Sequence, residues 1–172
     1  MVRAICVLPN GDISPIANAI FTRVTLRKAD QPQHTLPDLT EQYYESLVNL
    51  DNLAALTPVS TSVSPTFSIA THQREENFAF KFTGYIYVPK DGIYTFSTLS
   101  DDGSDLYIDD ALVVDNGNNH GMSESSGNIA LAAGQHSITV TYFQGGGSYG
   151  LEVRYAGGGI TKQLIPASVL SH

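Results

Sequence analysis

Between residues 77 and 88 the chain alternates in a way that only a half-buried strand satisfies. Phe78, Phe80, Phe82, Ile86 and Val88 fall on one face, and Lys81, Thr83, Tyr85 and Tyr87 on the other. Successive side chains of a strand point to opposite faces, so this period-two pattern is its signature. Pro89-Lys90-Asp91-Gly92 follows as a turn, and residues 93–98 return as the hairpin partner.

The same grammar repeats to the end of the chain. Leu106 and Ile108, Leu112 and Val114, and Ile129 and Leu131 mark short period-two strands. Ala133-Gly134-Gln135 turns the chain into residues 137–142, and Gly145-Gly146-Gly147 turns it into residues 151–155. Short strands with turn signals about every eight to twelve residues indicate an all-β fold, an antiparallel sandwich or barrel. Helix is expected only as short turns: Leu50, Leu53 and Leu56 lie three apart and Pro58 stops them. Residues 42–47 read as a strand and residues 60–64, all Ser and Thr apart from Val63, as a polar connection.

Before this region the pattern is weaker. Residues 1–30 hold an Asn10-Gly11 turn and a strand-like run at 19–26, and read as the tail or last strand of a preceding module. Residues 31–39, with Pro32 and Pro37 and no period, read as a linker, leaving 40–172 as the sandwich.

Composition excludes some partners. A net charge of −8 argues against nucleic acid and anionic membrane surfaces, both of which need basic patches. Cys6 is the single cysteine and has no internal disulfide partner. The apolar run at residues 4–8 is cut by Pro9-Asn10-Gly11, too short for a signal peptide or a membrane span, so no membrane insertion is expected. The chain reads as a piece of a longer exported protein whose signal lies upstream.

The chemistry-bearing stretch is residues 100–110, with five carboxylates in eleven residues. From Asp91 to Val153 there are nine acidic side chains and no Lys or Arg. Carboxylates gathered in this way repel unless water, backbone N–H groups or a cation takes up the charge. By themselves the residues read Asp101-Asp102-Gly103 as a turn, since Asp-Gly is a strong turn former. Asp105 and Asp109 read as a solvated strand face, and Asp109-Asp110 as the next tight turn. The 115–121 loop is rich in Asn and Gly, which suits either sugar hydroxyls or backbone turns. The glycines at 145–147 have no Lys, Arg or following helix to make a phosphate cradle. No Trp lines a cleft, no Gly-x-Ser-x-Gly elbow occurs and no zinc-ligand spacing is present, so the chain is not read as an enzyme.

These motifs, taken in order, resemble the anthrax-protective-antigen-type domain. The resemblance rests on Phe82-Thr83-Gly84-Tyr85-Ile86, Ser100-Asp101-Asp102-Gly103-Ser104, Leu106-Tyr107-Ile108-Asp109, Val113-Val114-Asp115-Asn116, Ala133-Gly134-Gln135-His136 and Tyr142-Phe143-Gln144-Gly145-Gly146. It runs from about residue 40 to 170, with Tyr43-Tyr44-Glu45 near its start. The segment before residue 31 is similar to the end of an immunoglobulin-like domain that precedes such modules in some bacterial glycosidases.

The resemblance implies an antiparallel, jelly-roll-like β-sandwich serving as an extracytoplasmic, non-catalytic accessory module, sugar-binding in some members and structural or protein-interacting in others. In sugar-binding members two consecutive Asp residues joined by a cis peptide hold calcium, an amide and carbonyls from a later loop complete the site, and sugar hydroxyls bind the ion. Carried over, Asp101, Asp102 and Gln144 would ligate Ca2+ with carbonyls from Gly146 and Ser148. Asn is usual where Gln144 stands, so this residue departs from the pattern. The sugar would meet Asp101, Asp102, Asn116, Asn118, His120 and the ring of Tyr149. The expected partners are thus a glycan or glycoconjugate and neighbouring domains of the same polypeptide.

Overall fold

The alternating run becomes one of the two longest strands, each of eleven residues, and the two pair along their whole length. The structure is a computed structural model that describes residues 2–19, 23–46 and 49–172. Thirteen strands are present among them: β1 (Val2–Ala4), β2 (Ala17–Ala19), β3 (Leu39–Glu45), β4 (Ser60–Ser64), β5 (Phe78–Val88), β6 (Gly92–Asp101), β7 (Ser104–Ile108), β8 (Ala111–Asn116), β9 (Ser123–Leu131), β10 (Gly134–Gln144), β11 (Gly150–Gly157), β12 (Ile160–Leu164) and β13 (Leu170–Ser171). Helix is confined to 3-10 turns at Leu50–Ala55 and Ala167–Val169. The expected class holds: all-β, antiparallel, with short helical turns only.

Two sheets form the sandwich. The larger runs β4-β3-β5-β10-β7-β8, with β13 also paired to β5, and the smaller runs β12-β11-β6-β9. Phe78, Phe80, Phe82, Ile86 and Val88 are all fully buried, as their shared face requires. They meet Tyr94 and Phe96 from β6 and Val153 and Tyr155 from β11 in one core. Gly84 has no side chain for a physical reason: a Cβ there would strike the backbone oxygen of Ser171 and lie 2.8 Å from Leu39 Cδ2.

Several expectations change. Residues 60–64 are a strand, paired with β3 from Leu39↔Ser64 to Tyr43↔Ser60. This edge strand exposes most of its side chains, so burial imposed no hydrophobic period on it. The strand expected over 19–26 is not continuous: β2 ends at Ala19, residues 20–22 lie outside the described residues, and 23–26 are irregular with Val24 exposed. Residue 47 of the expected 42–47 strand likewise lies outside the described residues. Asn10-Gly11 does turn the chain, with Gly11 at φ +86° and its N–H donating to Leu8 O.

Of the segment read as tail and linker, residues 27–37 lie along the sandwich, while β1 and β2 pair with each other as a separate two-stranded sheet. Arg27 bridges Leu131, Asp30 bridges Gln135 and Pro37 bridges Ser171, while Leu36 and His172 exchange backbone hydrogen bonds of 2.8 and 2.9 Å. Leu39 is already core.

Asp109 and Asp110 form the tight turn expected of them, with φ of +47° and +61°. Asp109 is not, however, on a solvated face. Its Oδ2 lies 2.8 Å from Nδ1 of the fully buried His136, and its Oδ1 accepts the Ser137 N–H at 3.2 Å. Asp105 is half-buried and accepts the Asn116 N–H at 3.2 Å. β8 and its following loop, with Gly117 against the carboxylate, cover part of Asp105, so it is only half open to the solvent that the strand pattern allowed.

Candidate functional site

The acidic corner forms where β6 ends and the chain crosses to β7. Asp101 is the last residue of β6 and pairs with Gly150, the first of β11. The Asp101–Asp102 peptide bond is cis. Gly103 follows because nothing larger fits: a Cβ would lie 2.7 Å from Asn118 O, 2.8 Å from Gly117 C and against the Phe143 ring.

Beneath the corner is a buried polar layer. The hydroxyls of Ser100 and Ser104 are 2.7 Å apart, and Asn116 Nδ2 donates to Ser100 Oγ and Ser123 O at 3.2 Å each. The Tyr142 hydroxyl donates to Asp101 O at 2.6 Å and sits 3.2 Å from Gln144 Oε1. Burial, reinforced by the nearby Asp102 and Asp101 carboxylates, holds the Tyr142 hydroxyl well above the ordinary phenol range, so it stays a donor.

Asp102 is 4% exposed, and its Oδ2 accepts the Gly145 N–H at 2.8 Å. Its own N–H donates to Gln144 Oε1 at 3.2 Å, while Gln144 Nε2 donates to Ser148 O at 3.0 Å. The corner and the glycine loop are therefore one hydrogen-bonded unit, with Gln144 wholly buried inside it.

The residues expected at the site are thus sorted by the fold. Asp101, Asp102, Gln144 and the Ser148 carbonyl are joined around the corner, while Gly146, on the same loop, lies against Glu76. Asn116 lies below the surface with its amide nitrogen committed to Ser100 and Ser123. Asn118 lends its carbonyl to the floor beside Gly103. Both ring nitrogens of His120 face loop carbonyls, Asn116 O at 3.0 Å and Gly121 O at 2.9 Å. Tyr149 is 40% exposed, with its ring edge-on to His72 at 4.8 Å.

Two residues outside the expected set of site residues belong here. A Cβ on Gly145 would lie 3.3 Å from both Asn119 Nδ2 and Asp102 Oδ2, which places the Asn119 amide at the corner. A Cβ on Gly146 would lie 3.4 Å from the Glu76 carboxyl group. Glu76 and His72 bring the loop before β5 onto the site. Asn119 sits in the amide-rich loop already noted, whereas no local signal marks 72–77.

A calcium ion takes six to eight oxygens, carboxylate and carbonyl. No ion pair engages Asp101 or Asp102 among the described residues. The Asp101 carboxylate and Asp102 Oδ1 therefore remain for a cation, and the donor chemistry fits a hard ion. Among the described residues no three His, Cys, Asp or Glu side chains converge, so the remaining ligands would have to be carbonyls or water. Gln144 fits less directly, since its oxygen already serves the Asp102 N–H.

Comparison with known proteins agrees with this architecture. The family model described as PA14 domain matches residues 39–168. Anti-sigma-I factor RsgI3 of Acetivibrio thermocellus is 28% identical over 97 residues, 56% of this chain and 15% of that protein. The solved structure of an anti-sigma factor domain-containing protein from Clostridium clariflavum is 25% identical, with a TM-score of 0.67 over 80% of this chain and 47% of that one. The chain thus spans less than half the length of either relative. A PA14 sugar-binding domain from an RTX adhesin shares the fold at 18% identity and a TM-score of 0.68, covering 80% of this chain and 99% of that one.

Proposed function

The chain belongs to the PA14 domain family, and from that premise we propose that it recognises hydroxyl-rich glycans at the Asp101–Asp102 corner with calcium as the bridging ion. The module is a non-catalytic accessory domain. The observation that carries the proposal is the lone pairing of Asp102 with the Gly145 N–H, beside an Asp101 carboxylate that no cation of the described residues neutralises. Asp101 and Asp102 would hold the ion with carbonyls of the 145–148 loop, and Gln144 would position Asp102 and Ser148. When bound, calcium supplies a site at which sugar hydroxyls replace water. Asn119, Glu76 and the exposed ring of Tyr149 surround that position and would bias which sugar is accepted.

Similarity to a domain named as sugar-binding in an adhesin supports a glycan partner. Together with the anti-sigma relatives, it supports placement outside the cytoplasm within a longer polypeptide. No helix among the described residues is long and apolar enough to cross a membrane. Single-site affinity through one ion is weak, so use in several copies or beside neighbouring domains suits it.

The second reading is a structural or protein-interaction module without a sugar site. The satisfied amide of Gln144 favours it, because a residue expected as ligand is bonded to Asp102 and Ser148. Calcium titration of chelator-treated protein by calorimetry separates the two. Saturable heat lost in Asp102→Ala, followed by calcium-dependent signals on a glycan array, supports the first. No heat and no calcium-dependent change in Tm overturns it.

A further inference from the structure

On the side of the seven-stranded sheet that faces away from the core, a small apolar cluster of Tyr44, Ala79 and Phe143 under Leu53 gives way to a polar, grooved surface. Strand register sets Gln42, Lys81, Thr141 and Asp105 in one row across β3, β5, β10 and β7, with Thr83, Thr139 and Tyr107 in the next. The two rows are about 7 Å apart, two residues along a strand. Leu50 and Ala54 of the 3-10 turn Leu50–Ala55, with Leu56 and Pro58 after it, form an apolar bank over the first row beside Asp51, around a groove of about 780 Å³. A second hollow of about 290 Å³ shares Thr139 and Asp110 with it and continues to Tyr85 and His172. The two make one elongated track.

Lys81 and Asp105 flank Thr141, two strand spacings or about 10 Å apart, and neither joins an ion pair among the described residues. A donor, hydroxyls and an acceptor therefore stand in line on a floor whose bank is apolar. We propose that this track is a second carbohydrate site, taking an internal stretch of a neutral, hydroxyl-rich polysaccharide.

Three features select that ligand. The groove alone falls within the size range of small-ligand sites, roughly 300–1,000 Å³, and its continuation past Thr139 suits a chain better than a terminal sugar. Mixed donors and acceptors beside Tyr107 and the leucines of the bank match the two aspects of a pyranose, hydroxyl edges and C–H faces. Asp51, Asp105 and Asp110 outnumber Lys81 along the groove, which repels an anionic polymer. None of these residues belongs to the acidic corner, so the inference does not rest on the preceding proposal and needs no calcium.

The test is an amide-detected NMR titration of the chelator-treated chain with cellohexaose, xylohexaose and mannohexaose. At least one should produce saturable shifts at Lys81, Thr139 and Thr141. Lys81→Met and Tyr107→Ala should each weaken that binding tenfold or more, while Asp102→Ala leaves it unchanged. Thr141→Ala, a smaller change, serves if Tyr107→Ala fails to keep the wild-type Tm. No shifts with any of the three sugars, shifts confined to 101–103 and 145–149, or binding indifferent to the track variants would overturn the proposal.

Discussion

The backbone N–H of Gly145 donates to Asp102 Oδ2 at 2.8 Å. With the Asp102 N–H bond to Gln144, that contact fastens the turn after β6 to the end of β10 and the loop beyond it, so the two halves of the candidate site are joined even without an ion. Asp102→Ala removes the acceptor and leaves the Gly145 N–H dependent on water. In the presence of chelator, its amide should exchange with solvent about tenfold faster. Asp102→Asn keeps an acceptor oxygen and should exchange near the wild-type rate.

Gly103→Ala is expected to be the most disruptive small substitution at the corner. The new methyl would meet Asn118 O at 2.7 Å, with the Phe143 ring on its other side. Overpacking of this kind costs about 1–3 kcal/mol, which for a domain of this size lowers Tm by roughly 2–12 °C. Thermal melts check it.

Tyr142→Phe removes the hydroxyl that donates to Asp101 O and should cost about 0.5–1.5 kcal/mol. Because burial raises the Tyr142 hydroxyl above its unfolded value, the folded state binds the more protons, and its stability falls as pH rises past the ordinary tyrosine range. Wild type should therefore lose stability more steeply than Tyr142→Phe above about pH 10, read from alkaline denaturation curves.

Asp105 carries the opposite of a stabilising carboxylate. Burial raises its pKa first of all, against the hydrogen bond from Asn116, which lowers it, and the charge of Asp115 adds to the rise. The native state then holds the proton over acidic pH where the unfolded chain has lost it, and stability declines as pH climbs through that interval. Asp105→Asn keeps an acceptor for the Asn116 N–H and removes the charge. The variant should be the more stable protein at neutral pH, with its advantage shrinking as pH falls toward the ordinary carboxylate range and no longer changing below it. A Tm series against pH decides it.

The sandwich was legible wherever one face of a strand is buried. Phe78 to Val88 carry their burial in their order, and turn residues such as Asp109-Asp110 announce the corners. β4 was not legible because an exposed edge strand of Ser and Thr has no buried face to write a period. The corner Asp101-Asp102 stood out by its density of charge. Glu76 and Asn119 did not, because their place beside Gly146 and Gly145 arises only when four loops converge. Burial of Asn116 and Gln144, which turns expected surface groups into supports, is equally a product of closure.

The pairing of Leu36 with His172 gains meaning from where it sits along β5. It adjoins β13, held to β5 at Tyr85 and Ile86, whereas Gln144 and the acidic corner adjoin Phe78. Those positions are roughly 23 Å apart along the strand. Polypeptide arriving along residues 27–36 reaches the sandwich at its base, and the corner is its far tip. The two chain segments that meet at the base, residues 27–36 and the C-terminal strand, thus leave the opposite end of the sandwich to the acidic corner.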